Sequence, residues 1–257
     1  MVREVKQEIF GSRPSVIEPI LQKAGIHYIK DIFILTCRSK FNENKKTRYL
    51  VLVEFKSEDD MNSSVLESVS ECLNADIKNR VIGVCLKENQ ANLLFMDNND
   101  IEEFSIQGLK DFLLEKTGCP YIESFAQGSE HATALSRFFR ENLGKSVSIT
   151  DIDFFIPNKC LFLEEKTFIE IRDNKKYGYL GKGQCLSYRE LISDLIDESK
   201  SSLYLIFVDN SNFYIQKFDK NINCNKTKEV SSWGTMVEID LDEKPLNSND
   251  LVRFILS

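Results

Sequence analysis

The residues best suited to chemistry lie in Ile149-Thr-Asp-Ile-Asp-Phe-Phe-Ile156 and Leu161-Phe-Leu-Glu-Glu-Lys166. Side chains alternate along a strand, so Glu164 and Lys166 share one face while Leu163 and Glu165 share the other. A carboxylate and an ammonium two residues apart are an odd choice for a core face. They make sense at a strand end outside the core, where the carboxylate holds a hard cation and the lysine faces a phosphate. Asp153 stands eleven positions before Glu164, the right distance for a neighbouring strand joined through a turn at Pro157-Asn158. Asp151 is an alternative, but the apolar strand continues directly after Asp153. Two carboxylates, water and phosphate oxygens suit the octahedral shell of Mg²⁺ or Mn²⁺. Such a cation lowers the pKa of bound water, and Lys166 would orient or deprotonate the nucleophile.

Asp153 and Glu164-x-Lys166, within an order helix–strand–strand–helix–strand, resemble the PD-(D/E)xK restriction-endonuclease-like superfamily. Gln184-Cys-Leu-Ser-Tyr188 is similar to the Q-x-x-x-Y element of its RecB-like members. The resemblance covers roughly residues 129–208 and departs from the pattern in having no proline before Asp153. It implies metal-dependent hydrolysis of phosphodiester bonds in nucleic acid, with DNA favoured over RNA. Asp153 and Glu164 would be the metal ligands, Lys166 the base or phosphate stabiliser, and Gln184 and Tyr188 would lie beside them. Glu130, at the start of the preceding helix, is the candidate for a further ligand.

A less complete version precedes it. Asp31 opens Ile32-Phe-Ile-Leu35, and Glu54 and Lys56 close Leu50-Val-Leu-Val-Glu-Phe-Lys56. Asp31, Glu54 and Lys56 are therefore a possible second site, expected to superpose on Asp153, Glu164 and Lys166. Basic residues cluster near both versions: Arg38, Lys40, Lys45, Lys46 and Arg48 in one, Arg172, Lys175, Lys176 and Lys182 in the other. Tyr177 and Tyr179 lie among the latter, as phosphate gripping with base stacking requires. Gly178-Tyr-Leu-Gly-Lys-Gly183 lacks the ending and setting of a phosphate loop and reads as a hairpin turn.

The elements that must position these residues repeat. Helical spacing over Pro14–Ala24, strands near Tyr28–Thr36 and Tyr49–Lys56, a helix over Met61–Leu73 and short strands at Val81–Leu86, Ala91–Met96 and Ile101–Phe104 lead to a helix on Leu109, Phe112 and Leu113. The second half predicts a helix over Glu130–Leu143, strands at Val147–Ile156 and Cys160–Ile171, and a capping box Ser187-Tyr-Arg-Glu190 opening a helix. Strands at Leu203–Val208, Phe213–Phe218 and Met236–Leu241 and a last helix follow. The expected fold class is α/β: two related halves, each a mixed β-sheet flanked by helices. Turn formers in Thr117–Ser129 put the division between residues 1–117, a nuclease-like or scaffold or sensor domain, and 118–257, the nuclease-like domain.

With 42% hydrophobic and 28% charged residues, the composition is that of a folded chain and excludes disorder. Seven scattered cysteines without a C-x-x-C pair argue against zinc and against a disulfide framework, and for a reducing, cytoplasmic or otherwise intracellular setting. Two histidines leave little material for a Ser-His-Asp triad. No apolar run is long enough to span a membrane. A net charge of −7 speaks against a non-specific nucleic-acid coat but not against a local basic surface. The rival readings are an inactive, nuclease-like interaction module and a ligand-sensing first half that regulates a nuclease half. A homodimer or a protein regulator would be the further partner.

Overall fold

The structure, a computed structural model, describes residues 14–38, 47–74, 80–87, 92–97, 100–118, 133–144, 147–230, 234–241 and 244–257. The first half comprises α1 (Ile17–Lys23), β1 (Ile29–Arg38), β2 (Thr47–Glu54), α2 (Ser63–Ser70), β3 (Val81–Leu86), β4 (Leu93–Asp97), β5 (Asp100–Phe104) and α3 (Ile106–Thr117). The second opens with α4 (Ala134–Leu143), β6 (Val147–Ile156), β7 (Leu161–Lys166), β8 (Ile169–Arg172), β9 (Lys175–Gly181) and α5 (Lys182–Glu190). It closes with β10 (Ser202–Asp209), β11 (Asn212–Phe218), β12 (Thr227–Val230), β13 (Gly234–Asp240) and α6 (Ser248–Leu256).

Local chemistry sets the helix limits. Asn62, Ser105, Thr133 and Asn247 each accept a first-turn amide with a side-chain oxygen, at α2, α3, α4 and α6 respectively. Gly118, at φ 65°, stops α3 in the left-handed region that favours glycine. Two expectations fail around α5. The helix opens at Lys182, so Ser187 lies inside it and not at a capping box. The segment expected to be a hairpin turn is instead strand β9 running into α5; the turn is at Asp173 and Asn174, both at positive φ. The single strand expected over Cys160–Ile171 is likewise two, β7 and β8.

Nine strands form one mixed sheet in the order β11-β10-β7-β6-β1-β2-β3-β4-β5. Its centre is the antiparallel pair β1–β6, which joins the halves. Outward on one side, β2 is antiparallel, β3 parallel and β4 antiparallel to the preceding strand. On the other side β7, β10 and β11 run in the same sequence of directions. The architecture is thus α/β, with helices on both faces.

The division near residue 117 does not separate two cores. One face of the sheet carries a cluster spanning both halves, with Ile32, Val53, Ile152, Phe162 and Leu205 beneath α2 and α5. The opposite face carries two clusters, and in each the first described helix of one half reaches onto strands of the other while keeping contacts within its own half. Ile17 and Leu21 of α1 pack on Phe154, Leu163 and Ile206 of the second half, together with Leu251 and Ile255 of α6. Leu135, Phe138 and Phe139 of α4 pack on Phe33, Leu35, Leu50 and Leu52 of the first, together with Leu109 and Leu113 of α3.

A second sheet, β12-β13-β9-β8, lies over β10. Gly178 is where it touches: a Cβ there would sit 2.3 Å from the Phe207 ring, so only glycine permits the approach.

The expectation of no disulfides is overturned. Cys72, just past α2, is joined to Cys160, in the turn before β7, and Cys185 of α5 is joined to Cys224, before β12. Both pairs join a cysteine in or just after a helix to one in a loop, 88 and 39 positions apart, an approach that sequence spacing does not disclose. Among the described residues no helix is long and apolar enough to cross a membrane.

Each fully buried aliphatic or aromatic side chain contributes about 1.5–3 kcal/mol, so the residues that α1 and α4 bury on the other half tie the two halves together by several kcal/mol. Residues 1–117 and 118–257 produced separately should each lack a cooperative melt in circular dichroism, and should recover one on co-expression. A cooperative melt of residues 118–257 alone, near the temperature of the full chain, would show that these contacts between the halves are dispensable. Closing loops of 88 and 39 residues, the two disulfides stabilise by roughly 4–5 kcal/mol each in the chain-entropy view. Dithiothreitol should therefore lower the melting temperature of the full chain measurably.

Candidate active site

The β6–β7 pairing brings the sequence candidates together. Phe154 faces Leu163, so the next register position sets Asp153 beside Glu164. The Asp153 amide donates to Glu164 Oε2 at 3.3 Å, and the Glu165 amide donates to Asp153 Oδ2 at 2.7 Å. The Lys166 ammonium donates to Glu164 Oε1. These groups do not sit at a solvated strand end, as the sequence suggested. The Glu164 side chain is 2% exposed and that of Lys166 15%. The large-sheet face they point to is covered by α5, which the E-x-K spacing alone could not reveal.

On α5, Gln184 and Tyr188 stand one turn apart and face the same pair. Gln184 Nε2 donates to the Tyr188 hydroxyl at 3.4 Å, which donates to the Asp151 carbonyl oxygen at 3.3 Å. Tyr188 is fully buried, and its phenol is pushed well above its usual value by burial and by the charges of Glu164, Asp151 and Asp153. The structure therefore gathers Asp153, Glu164, Lys166, Gln184 and Tyr188 into one cluster. Glu130 lies outside the described residues.

Burial is the main force on the ionisation of these groups. It raises Glu164 to about 8, aided by the neighbouring Asp153 charge. It raises Asp153 to about 6, against the opposing pull of Lys166 and of the Glu165 amide. Burial alone would lower Lys166, but the Glu164 and Asp153 carboxylates outweigh it and the ammonium is held up. Two carboxylates competing in a dry site with one ammonium form an oxygen-rich pair short of positive charge. A pair of carboxylate oxygens of this kind would fit a hard cation, and Asp153 and Glu164 are the residues that would hold it. Among the described residues no group of three or more His, Cys, Asp or Glu is placed to share one ion, so the remaining positions of such a shell would fall to water and substrate oxygens.

The first-half candidates also meet. Asp31, Glu54 and Lys56 line a cavity of about 350 Å³ with Lys87 and with Ala134 of α4. Burial, then the Asp31 charge, raises Glu54 to about 7. The expected superposition on the second half fails, however, for a reason of parity. Leu52 and Phe33 lie in the cluster under α3 and α4, so Glu54 projects to that face; Leu163 and Phe154 lie in the cluster under α1 and α6, so Glu164 projects to the other. The position on β7 that matches Glu54 in facing is Glu165. The two versions are out of step by one residue and open on opposite faces.

They meet at the middle of the sheet. Pairing of β1 with β6 runs Ile29↔Phe155, Lys30↔Phe154, then Ile32↔Ile152, passing over Asp31 and Asp153. Ile29 and Ile32 nevertheless share the α2–α5 face, as do Ile152 and Phe155, so each strand breaks alternation at its aspartate. Asp31 does so at φ 58°, which an aspartate tolerates better than most residues.

The basic residues are only partly free to bind. Arg172 pairs with Glu238 at 2.8 Å and stacks on Tyr177, and Lys176 pairs with Asp209 at 3.0 Å. Lys175 and Lys182 are exposed. The run from Lys40 to Lys46 lies outside the described residues. Sequence reasoning missed Glu165 as a partner of Ser15, Val16 and Ile17, because 148–150 positions separate them. No protein-family model matches the chain, and neither does a curated protein or a solved structure.

Asp153, Glu54 and Glu164 all ionise at higher pH folded than unfolded, where their values are near 3.8 and 4.5. Their contribution to stability is full below the unfolded values and is lost as pH rises through about 6, 7 and 8. The melting temperature of metal-free protein should therefore fall between pH 4.5 and about 8. Glu164→Gln, which cannot ionise, should flatten the upper part of that fall. A melting temperature that climbs over this range would contradict the raised ionisation.

Proposed function

We propose that the protein is a divalent-metal-dependent nuclease that hydrolyses phosphodiester bonds of nucleic acid, DNA before RNA. The observation that carries this is the buried Asp153–Glu164 pair with Lys166 donating to Glu164. Bound Mg²⁺ or Mn²⁺ would supply a Lewis acid at the scissile phosphate and a more acidic water. Asp153 and Glu164 would hold that ion. Lys166, kept charged by its two carboxylate neighbours, hands over from Glu164 to a phosphate oxygen or to the attacking water when substrate enters. Tyr188 and Gln184 close the site from α5, and exposed Lys175 and Lys182 on and beside β9 offer charge to the backbone of a strand.

We infer also that the halves derive from one duplicated unit on a restriction-endonuclease-like plan. Support comes from the matched strand order and polarity on either side of β1–β6, and from α2 and α5 covering the same face. The one-residue offset of Glu54 and Lys56 favours the second half as the catalytic one.

The protein should cleave DNA with Mg²⁺ or Mn²⁺, while Ca²⁺ supports binding without cleavage. Cleavage that continues unchanged in excess chelator would remove Asp153 and Glu164 from the chemistry. Asp153→Asn, Glu164→Gln and Lys166→Met each keep the shape of a buried side chain, and each should lower kcat by roughly 10²–10⁴ with circular dichroism unchanged. Glu54→Gln should have a much smaller effect. Loss of activity in Glu54→Gln but not in Glu164→Gln would reverse the assignment of the halves.

A further inference from the structure

Glu165 lies between the candidate centre and α1, the first helix among the described residues. Its carboxylate turns away from Glu164, onto the face that carries α1. There Oε2 accepts from the Ser15 hydroxyl at 2.5 Å and the Ile17 amide at 3.2 Å, and Oε1 accepts from the Val16 amide at 2.9 Å. Ser15 Oγ in turn accepts from the Glu18 amide at 3.0 Å, so Ser15 and Glu165 together satisfy the first turn of α1. The backbone amide of the same Glu165 donates to Asp153 Oδ2 at 2.7 Å. One residue thus holds Asp153 with its main chain and α1 with its side chain. The helix it holds presses Ile17 and Leu21, both fully buried, onto Phe154 and Leu163, the residues adjoining Asp153 and Glu164.

We propose that Glu165 is a positioning residue of the Asp153–Glu164 centre, acting by clamping α1 behind the two strands that carry both carboxylates. The proposal rests on the reading of that centre as a metal site. With the clamp in place, the end of β7 cannot shift, the Glu165 amide stays on Asp153, and the two carboxylates keep the separation a shared ion needs. Without it, that separation relaxes, and loss of such a supporting partner weakens metal binding by roughly 10- to 100-fold.

The test uses the full chain as Glu165→Ala, Glu165→Gln and Ser15→Ala, with two measurements. The first is Mn²⁺ affinity by titration well below the melting temperature. The second is hydrogen exchange at the residue 165 amide in metal-free protein. Glu165→Ala should bind Mn²⁺ about 10- to 100-fold more weakly, with cleavage returning at saturating Mn²⁺, and its amide should exchange faster. Ser15→Ala, which acts from the helix side, should move both in the same direction by less. Glu165→Gln keeps an acceptor oxygen and should recover part of the loss. A merely structural contact would lower the melting temperature of all three and leave Mn²⁺ affinity unchanged, and that result overturns the proposal. If Glu165→Ala fails to fold, Ser15→Ala and Glu165→Gln decide in its place. If the unaltered protein binds no Mn²⁺, the metal reading fails separately. Exchange then decides the clamp: a faster residue 165 amide in the variants supports it, and an unchanged one refutes it.

Discussion

The antiparallel pairing of β1 with β6 is the contact on which everything else in the molecule hangs. It fuses two four- or five-stranded arrays into one sheet, and it sets the parity of every neighbouring strand. A strand slip of one residue would turn each apolar side chain to the wrong cluster. The pairing tolerates one irregularity, at Asp31 and Asp153, and both candidate sites grow from that point. Placing acidic residues at the centre of a sheet is costly unless their charge is offset. The second half offsets it with a buried lysine and with amides from the neighbouring strand; the first leaves Asp31 and Glu54 facing an open cavity.

The Glu164–Lys166 pair illustrates why such a centre is poor evidence of stabilisation. Taking two opposite charges out of water costs several kcal/mol per ion, and their attraction returns that only with good geometry and further hydrogen bonds. An apolar pair of similar volume on β7 would serve the fold as well or better. Tyr188, also buried and beside the same carboxylate, adds a second polar group where the α2–α5 cluster would accept a phenylalanine. Buried groups of this kind weaken a fold unless their partners are well placed, and under the proposed function the return on that cost would be the binding of a cation and its substrate.

Much of this was legible in the residues. Apolar patterning located β1, β2, β6, β10 and β11 to within a few positions and the start of β7 but not its end, and the distance from Asp153 to Glu164 anticipated their adjacency across a hairpin. The four-residue step from Gln184 to Tyr188 became informative once α5 was seen to begin at Lys182, because it places both on one face. Other features were not legible, each for a physical reason. Facing depends on sheet parity, so E-x-K at Glu54 and at Glu164 looked alike yet point oppositely. Cystine formation depends on three-dimensional approach, so Cys72 and Cys160 gave no hint of each other. The reach of α1 and α4 onto the other half depends on which strands lie beneath each helix in the assembled sheet, which their own apolar stripes do not specify. The basic character of Arg172 and Lys176 was visible, but their acidic partners, Glu238 and Asp209, are 66 and 33 positions away.

The reach of α1 and α4 across the halves also bears on how the chain is made. While a ribosome is still translating the second half, Phe33, Leu35, Leu50 and Leu52 have α3 above them but not yet α4, and α1 has from its own half only the neighbouring Ile26, Tyr28 and Lys30 to rest on. Folding of the emerging chain must wait for residues 134–143 to leave the exit tunnel before the first cluster can close, and for β7 before α1 can dock. During that interval a broad apolar face is open to holdases and to other nascent copies. Slow translation between α3 and α4 would lengthen that exposure.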